Sequence, residues 1–314
     1  MKAKILAVVA MGCVAALALG APGDVLFSSN MDDGSAWNTY MDADCYYEWG
    51  YDFSTMGIPA SPSGSTTGLY VAANLAESSS YDAVHATPAN FSASGQYQVD
   101  FDMWINVTYG GGTTEFIGGG VGFNPPAGEE TWQHGASLIV TGEGGSSRDF
   151  RLYKNGGEQW PASGQYAAGT YSGANNNTDP YYAGFVGQSA PQYQQDNYGA
   201  PADPLADGTI GYGWHHMTIV VDPDAIGSGI TDDPGIATFY LDGLLIGTID
   251  NSNGGTVVDM TGGVEVYYTD LFSSVATPTE LAFGLFDNFS VTEVPEPASI
   301  ALLALAGLTL LRRR

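Results

Sequence analysis

The sharpest pattern in the chain runs from Gln96 to Val107. Tyr97, Val99, Phe101, Met103, Ile105 and Val107 alternate with Gln98, Asp100, Asp102, Trp104 and Asn106. A period of two puts these sets on opposite faces of a strand, one apolar and one largely polar. Further strand candidates are Thr114 to Gly122, Ala136 to Val140, Phe150 to Tyr153, His215 to Val221 and Ala237 to Leu241. Leu245 to Ile249, Val264 to Tyr268 and Leu281 to Thr292 complete the set. Leu241-Asp242-Gly243-Leu244 reads as a tight hairpin, because an Asp-Gly pair tolerates the positive φ such a turn needs. No stretch between residues 21 and 297 sustains a 3.6-residue period. Roughly ten strands with turn punctuation predict an all-β fold, a two-sheet antiparallel sandwich.

Between Asn155 and Gly211 the alternation disappears. This segment holds Gly, Asn, Gln, Pro and Ala with six tyrosines, 166, 171, 181, 182, 193 and 198. A structureless loop of this length inside a compact domain is unusual and often functional. Residues 155–211 therefore read as a loop-rich insertion. It is either surface decoration with a few tyrosines pinned to the sheet, or a lid over a glycan groove.

The two ends carry a different pattern. Lys2 and Lys4, the apolar run Ile5 to Leu19 and the small residues Ala18-Leu19-Gly20 form a signal peptide over residues 1–20. A lipoprotein cut before Cys13 would leave the greasy stretch Val14 to Leu19 on the mature protein. At the other end Val294-Pro295-Glu296-Pro297 precedes an apolar helix over residues 298–311, then Arg312, Arg313 and Arg314. Residues 294–314 resemble the PEP-CTERM sorting tag of Gram-negative bacteria, which an exosortase reads at the inner membrane. Fourteen helical residues rise roughly 21 Å, against a hydrocarbon core of about 30 Å. The arginines would stay on the cytoplasmic side. An ordinary tail anchor is the alternative. The resemblance implies export, transient inner-membrane insertion, and release to the cell surface, outer envelope or extracellular matrix.

Processing at both ends changes the charge balance. The whole chain has 34 acidic and eight basic residues, but five of the basic ones lie in the end signals. Arg148, Arg151 and Lys154 remain, against 33 acids once Glu296 is removed, a net charge of about −30. Nucleic acid is excluded as a partner. Neutral sugars and divalent cations fit, and the three cations either pair with carboxylates or hold an acidic sugar. With Cys13 in the signal peptide, Cys45 stands alone and no intrachain disulfide forms. Residues 21–293 must be stabilised by a core.

Trp214-His215-His216-Met217-Thr218-Ile219-Val220-Val221-Asp222, followed by Ala237-Thr238-Phe239-Tyr240-Leu241-Asp242-Gly243, is similar to the paired signature of concanavalin A-like (laminin G-like) jelly rolls. Phe27 with Asp32-Asp33-Gly34 and Trp37 looks like the opening strand, and Phe286 to Val291 the closing one. The resemblance implies that these two strands pair. It specifies fold more than activity, since lectins, hydrolases and adhesion modules share it. No Glu-x-Asp-x-(x)-Glu triplet sets two carboxylates about 5 Å apart. The four histidines form no HExxH pair. The chain thus reads as a non-catalytic glycan-binding or matrix module, with a polysaccharide hydrolase or lyase as the alternative.

Trp104 with Asp100, Asp102 and Asn106 is the candidate glycan platform, a ring for the pyranose face beside acceptors for its hydroxyls. The competing reading packs Trp104 beneath the 155–211 insertion. His215 and His216 fall on opposite faces of one strand and read as structural. Asp32, Asp33 and Asp287 are candidate ligands for a structural calcium. Asp287 falls in phase with Leu281, Phe283, Leu285, Phe289 and Val291, so its carboxyl should point inward. There it needs backbone N–H groups, a hydroxyl or a shared cation. A bulge at Phe286 would instead turn it outward.

Overall fold

A computed structural model of the chain describes residues 23–76, 82–91, 93, 95–108, 115–123, 135–159, 174–272 and 275–295. Fifteen strands lie among them. In chain order they are β1 (Val25–Ser29), β2 (Trp37–Met41), β3 (Cys45–Asp52), β4 (Thr67–Ala73) and β5 (Asp82–Pro88). Next come β6 (Tyr97–Ile105), β7 (Glu115–Phe123), β8 (Ala136–Val140), β9 (Phe150–Lys154) and β10 (Gly157–Gln159). The last are β11 (Trp214–Asp222), β12 (Ile236–Leu241), β13 (Leu244–Asp250), β14 (Gly263–Asp270) and β15 (Gly284–Glu293). One short helix, α1, spans Gln192–Tyr198.

The strands form two antiparallel sheets. The eight-stranded sheet runs β13-β12-β11-β6-β15-β4-β3, with β1 also paired to β15. The seven-stranded sheet runs β10-β9-β8-β7-β14-β5-β2. Opening and closing strands meet through Phe27↔Val291 and Ser28↔Ser290, and the Glu293 N–H donates to the Asp24 carbonyl at 2.9 Å. Residues Asp24–Glu293 make one compact unit. The signal peptide expected over residues 1–20 and the helix expected over residues 298–311 lie outside the described residues. Among the described residues, no helix is long and apolar enough to cross a membrane.

Alternation explains the core. Val99, Phe101, Met103 and Ile105 of β6 face Ile117 and Val121 of β7 and Val264, Val266 and Tyr268 of β14, all buried between the sheets. Phe101 stands against Phe286 and Phe289, ring centroids 5.8 and 6.0 Å away. Its approach to the other sheet requires Gly119, where a Cβ would come within 2.7 Å of the Phe101 ring. Cys45 is buried, and burial pushes its thiol up to about 12, so it is unreactive at neutral pH.

The Asp-Gly hairpin forms as its chemistry requires, with Asp242 at φ 49° and Gly243 at φ 78°. The strands without a clean alternation are β2, β3, β4, β5 and β10. In β5 every residue is buried, so both faces are covered and no polar side marks the strand. In β3 a register shift between Glu48 and Tyr51 breaks the phase. The expected strand from Leu281 starts instead at Gly284, after a 3-10 turn at Thr279–Leu281.

Candidate functional site

Eight residues on three neighbouring strands mark the outer face of the eight-stranded sheet. Cross-strand register sets Thr218 beside Asp100, His216 beside Asp102 and Trp214 beside Trp104. On the other flank of β6, Asp287 lies beside Asp102 and Leu285 beside Trp104. Directly paired residues share a face, so this surface grades from tryptophan to carboxyl along two strands.

The tryptophan end is covered. Trp104 is 2 % exposed and packs with Phe53, Ala190, Ala200, Tyr212 and Phe283 in a second apolar cluster. This corrects the expectation of an open platform, because the polar side of the alternating strand is itself buried at this point. The cover comes partly from the 155–211 insertion. Asn106 and Gln194 of α1 exchange two amide hydrogen bonds, each 3.0 Å, and Asn106 also donates to the Leu281 carbonyl at 3.0 Å. The Trp104 indole N–H donates to Asn106 Oδ1 at 3.3 Å. Asn106 therefore fastens the insertion to the sheet and offers nothing to a ligand. Earlier in the insertion, Tyr182 stacks on Phe150 at 4.4 Å and joins the core between the sheets.

The carboxyl end is open. His216 is 42 % exposed, with Nδ1 2.7 Å from Asp102 Oδ1 and Nε2 3.3 Å from Asp100 Oδ1. Thr218 Oγ1 donates to Asp100 Oδ1 at 2.8 Å and Gln98 Nε2 to its Oδ2 at 2.7 Å. The bonds to Asp100 and Asp102 raise His216 to about 10, against some loss from burial. Burial works against the Asp100 carboxylate, yet the bonds from His216, Gln98 and Thr218 hold it below the usual range. His216 is thus an imidazolium at neutral pH, clamped by two carboxyl groups. A ring held so firmly in its charged form has no free lone pair to act as a general base.

Asp287 is fully buried, but on the outer face beside Asp102 and in phase with Leu285, not pointing inward with Phe289 and Val291 as expected. The loop that carries Ser61 and Ser63 covers it. A bulge is present, but it falls between Asp287 and Ser290, one step beyond Phe286, with Asn288 at φ 55°. It returns Phe289 and Val291 to the core between the sheets, while Leu281, Phe283 and Leu285 stay in the outer cluster. The single apolar face drawn for this strand is therefore two faces. The Asp287 carboxyl accepts from the Ser61 hydroxyl, from Ser63 Oγ at 2.9 Å and from the Asn288 N–H at 2.7 Å. Its partners lie in the loop before β4 and not in the Asp32-Asp33 turn. There Asp33 caps the Ser35 N–H at 2.9 Å and Asp32 accepts from Asn30 at 2.6 Å. Among the described residues, no group of three or more His, Cys, Asp or Glu side chains is arranged to hold a metal ion. The three proposed calcium ligands are engaged separately.

Two other expectations change. Lys154 donates to the carbonyls of Asp250, Asn251 and Gly254 at 2.7–3.3 Å instead of pairing with a carboxylate. Arg151 lies 4.5 Å over the Phe116 ring. Of the sorting residues only Pro295 is described, partly exposed after β15, and Glu296, Pro297, Arg312, Arg313 and Arg314 lie outside the described residues.

Sequence reasoning missed His216 as the centre of this face, along with Ser61 and Ser63. The available signal was its phase with Thr218 and Trp214. Its pairing with Asp102 depends on strand order, which a single sequence does not reveal.

No family model matches the chain, and no curated protein matches it. Among solved structures it is similar to a Bacillus subtilis protein of unknown function with a galectin-like fold. That match has 11 % identity over 87 % of this chain and 97 % of the other, with a TM-score of 0.43. The carbohydrate recognition domain of Emp47p matches at 12 % identity over 87 % and 95 %, TM-score 0.37. The alginate lyase Aly36B, solved with an alginate trisaccharide, matches at 14 % over 87 % and 99 %, TM-score 0.37. The sandwich described above rests on this chain's own strand register.

Proposed function

We propose that this protein is an exported β-sandwich that binds carbohydrate at the cell surface or in its exopolysaccharide without cleaving it. The observation that supports this reading is the open network of Asp100, His216, Gln98 and Thr218. It presents fixed donors and acceptors to solvent, with the His216 ring held in its charged form. Sugar hydroxyls are matched by such side-by-side donors and acceptors. The signal peptide and the PEP-CTERM-like tail provide the route: export, exosortase processing at the inner membrane, then release outward.

The alternative is a polysaccharide-active enzyme, and one observation favours looking at the other sheet. There His85 lies 3.9 Å from Glu265, and burial pushes it down to about 4, leaving a neutral imidazole. The purified protein should be probed against bacterial and algal polysaccharides, with and without calcium, while released sugar ends are assayed. Binding without product supports the proposal. Released product would replace it with an enzyme, and silence on every glycan would leave a purely structural matrix role.

A further inference from the structure

The eight-stranded sheet has a second exposed feature at its β3 edge, away from His216. Tyr46 and Tyr51 of β3, Tyr70 of β4, and Tyr193 and Tyr198 of α1 form a strip of tyrosines. Tyr70 is the hub. Its ring centroid lies 4.8 Å from Tyr51 and 6.0 Å from Tyr46, and it stacks on buried Phe283 at 5.0 Å. Tyr198 interacts electrostatically with the hydroxyls of Tyr51 and Tyr70, and its ring lies 6.3 Å from Tyr193. The sheet supplies three rings and the 155–211 insertion two, so the insertion extends the platform in addition to burying Trp104.

The strip is neither core nor plain surface. Tyr46 is 48 % exposed and Tyr193 43 %, while Tyr70 is held from below by Phe283. Fixed rings lose little conformational freedom when a ligand stacks on them. Around the rings stand acceptors: the Tyr46 hydroxyl donates to Glu48 at 3.0 Å, and Glu280 lies near Tyr198. The Glu48 bond raises the Tyr46 hydroxyl, and burial raises those of Tyr70 and Tyr198. All three stay protonated donors over any ordinary pH. Among the described cations, Lys154 is held by carbonyls beside β13 and Arg151 lies over Phe116.

We infer that the tyrosine strip is the contact surface for an extended, uncharged polysaccharide chain. Rings stack on the apolar faces of successive sugar units, while tyrosine hydroxyls and Glu48 take the hydroxyl groups. The carboxylates of Glu48 and Glu280 would repel a polyanion, and Lys154 and Arg151 are engaged elsewhere. The inference rests on the carbohydrate-binding reading above and adds the place and the class of ligand.

The test measures binding of the whole protein to three soluble uncharged probes, hydroxyethylcellulose, laminarin and galactomannan, with alginate and chitosan as charged comparators. Tyr46→Ala and Tyr193→Ala should each weaken binding to an uncharged probe at least fivefold, with the melting temperature nearly unchanged. Both rings are exposed, so these variants should fold. Tyr46→Phe, which keeps the ring, should stay within about twofold of wild type. If wild type binds an uncharged probe and both alanine variants match it, the strip is wrong and the carbohydrate reading stands. Binding confined to alginate or chitosan overturns the uncharged class. Binding to none of the five overturns the strip and the carbohydrate-binding reading with it.

Discussion

Two halves of one sheet face, built from the same two strands, have opposite fates. At Trp104 and Trp214 the face is buried under Phe53, Tyr212 and α1, while two rungs away Asp100, His216 and Thr218 meet solvent. Both halves obey the same alternation, so alternation decides which face a residue joins and not whether that face is covered. Part of what covers the first half is the segment with no pattern of its own. Asn106, polar in sequence and buried in structure, anchors the covered end by bonding its amide to Gln194.

The largest effect should come from breaking the covered half. Trp104→Ala removes a ring packed on all sides and leaves a cavity, at a cost of about 3–5 kcal/mol. Denaturant unfolding would measure it. A loss under about 1 kcal/mol would mean that the cover is loose and the contrast between the halves is one of degree.

The same contrast explains how much was legible. The sandwich and the Asp-Gly hairpin follow from local pattern, fixed by period and turn chemistry. The pairing of first and last strands came from the jelly-roll resemblance, and the burial of Asp287 comes from the loop that carries Ser61 and Ser63. The strands β2 to β5 escaped, since burial on both faces and the register shift in β3 erase the alternation. The site was legible only in part. Asp100 and Asp102 were named for their side of the strand, but their engagement with His216 arises when β11 pairs with β6. Trp104 was misplaced because cover is a tertiary fact.

A middle-sized effect should come from Asp287, the carboxyl at the edge of the covered half. Asp287→Ala frees Ser61, Ser63 and the Asn288 N–H, and hydrogen bonds to a carboxyl group place the cost at about 2–3 kcal/mol. Those partners occupy both oxygens without a cation. The wild-type melting temperature should therefore be indifferent to chelator. A calcium-dependent rise in the melt that disappears in Asp287→Ala would restore the metal reading and place the ion at this carboxyl.

The smallest effect probes the open half through pH. His216 rises from its ordinary value of 6.5 to about 10 in the folded protein because Asp100 and Asp102 bond to its protonated ring. The folded state then holds the proton more tightly than the unfolded chain does. Stability from this source is complete below about pH 6.5 and is lost as pH climbs through about 10. The ring is 42 % exposed, so solvent screening reduces the gain to about 1–2 kcal/mol. Asp100 sets the acid limit, since its carboxyl is held low and its contribution fades as pH falls below the usual carboxylate range. His216→Gln keeps a donor but carries no titrating charge. Unfolding measured at pH 6.5, 8 and 10 should show wild type losing about 1–2 kcal/mol more than the variant across that range. Subtracting one curve from the other removes the other titrating groups, which both proteins share. Parallel curves would mean that solvent screens the clamp completely, and the open half would then be an ordinary wet surface on which Asp100 and His216 do not act as a unit.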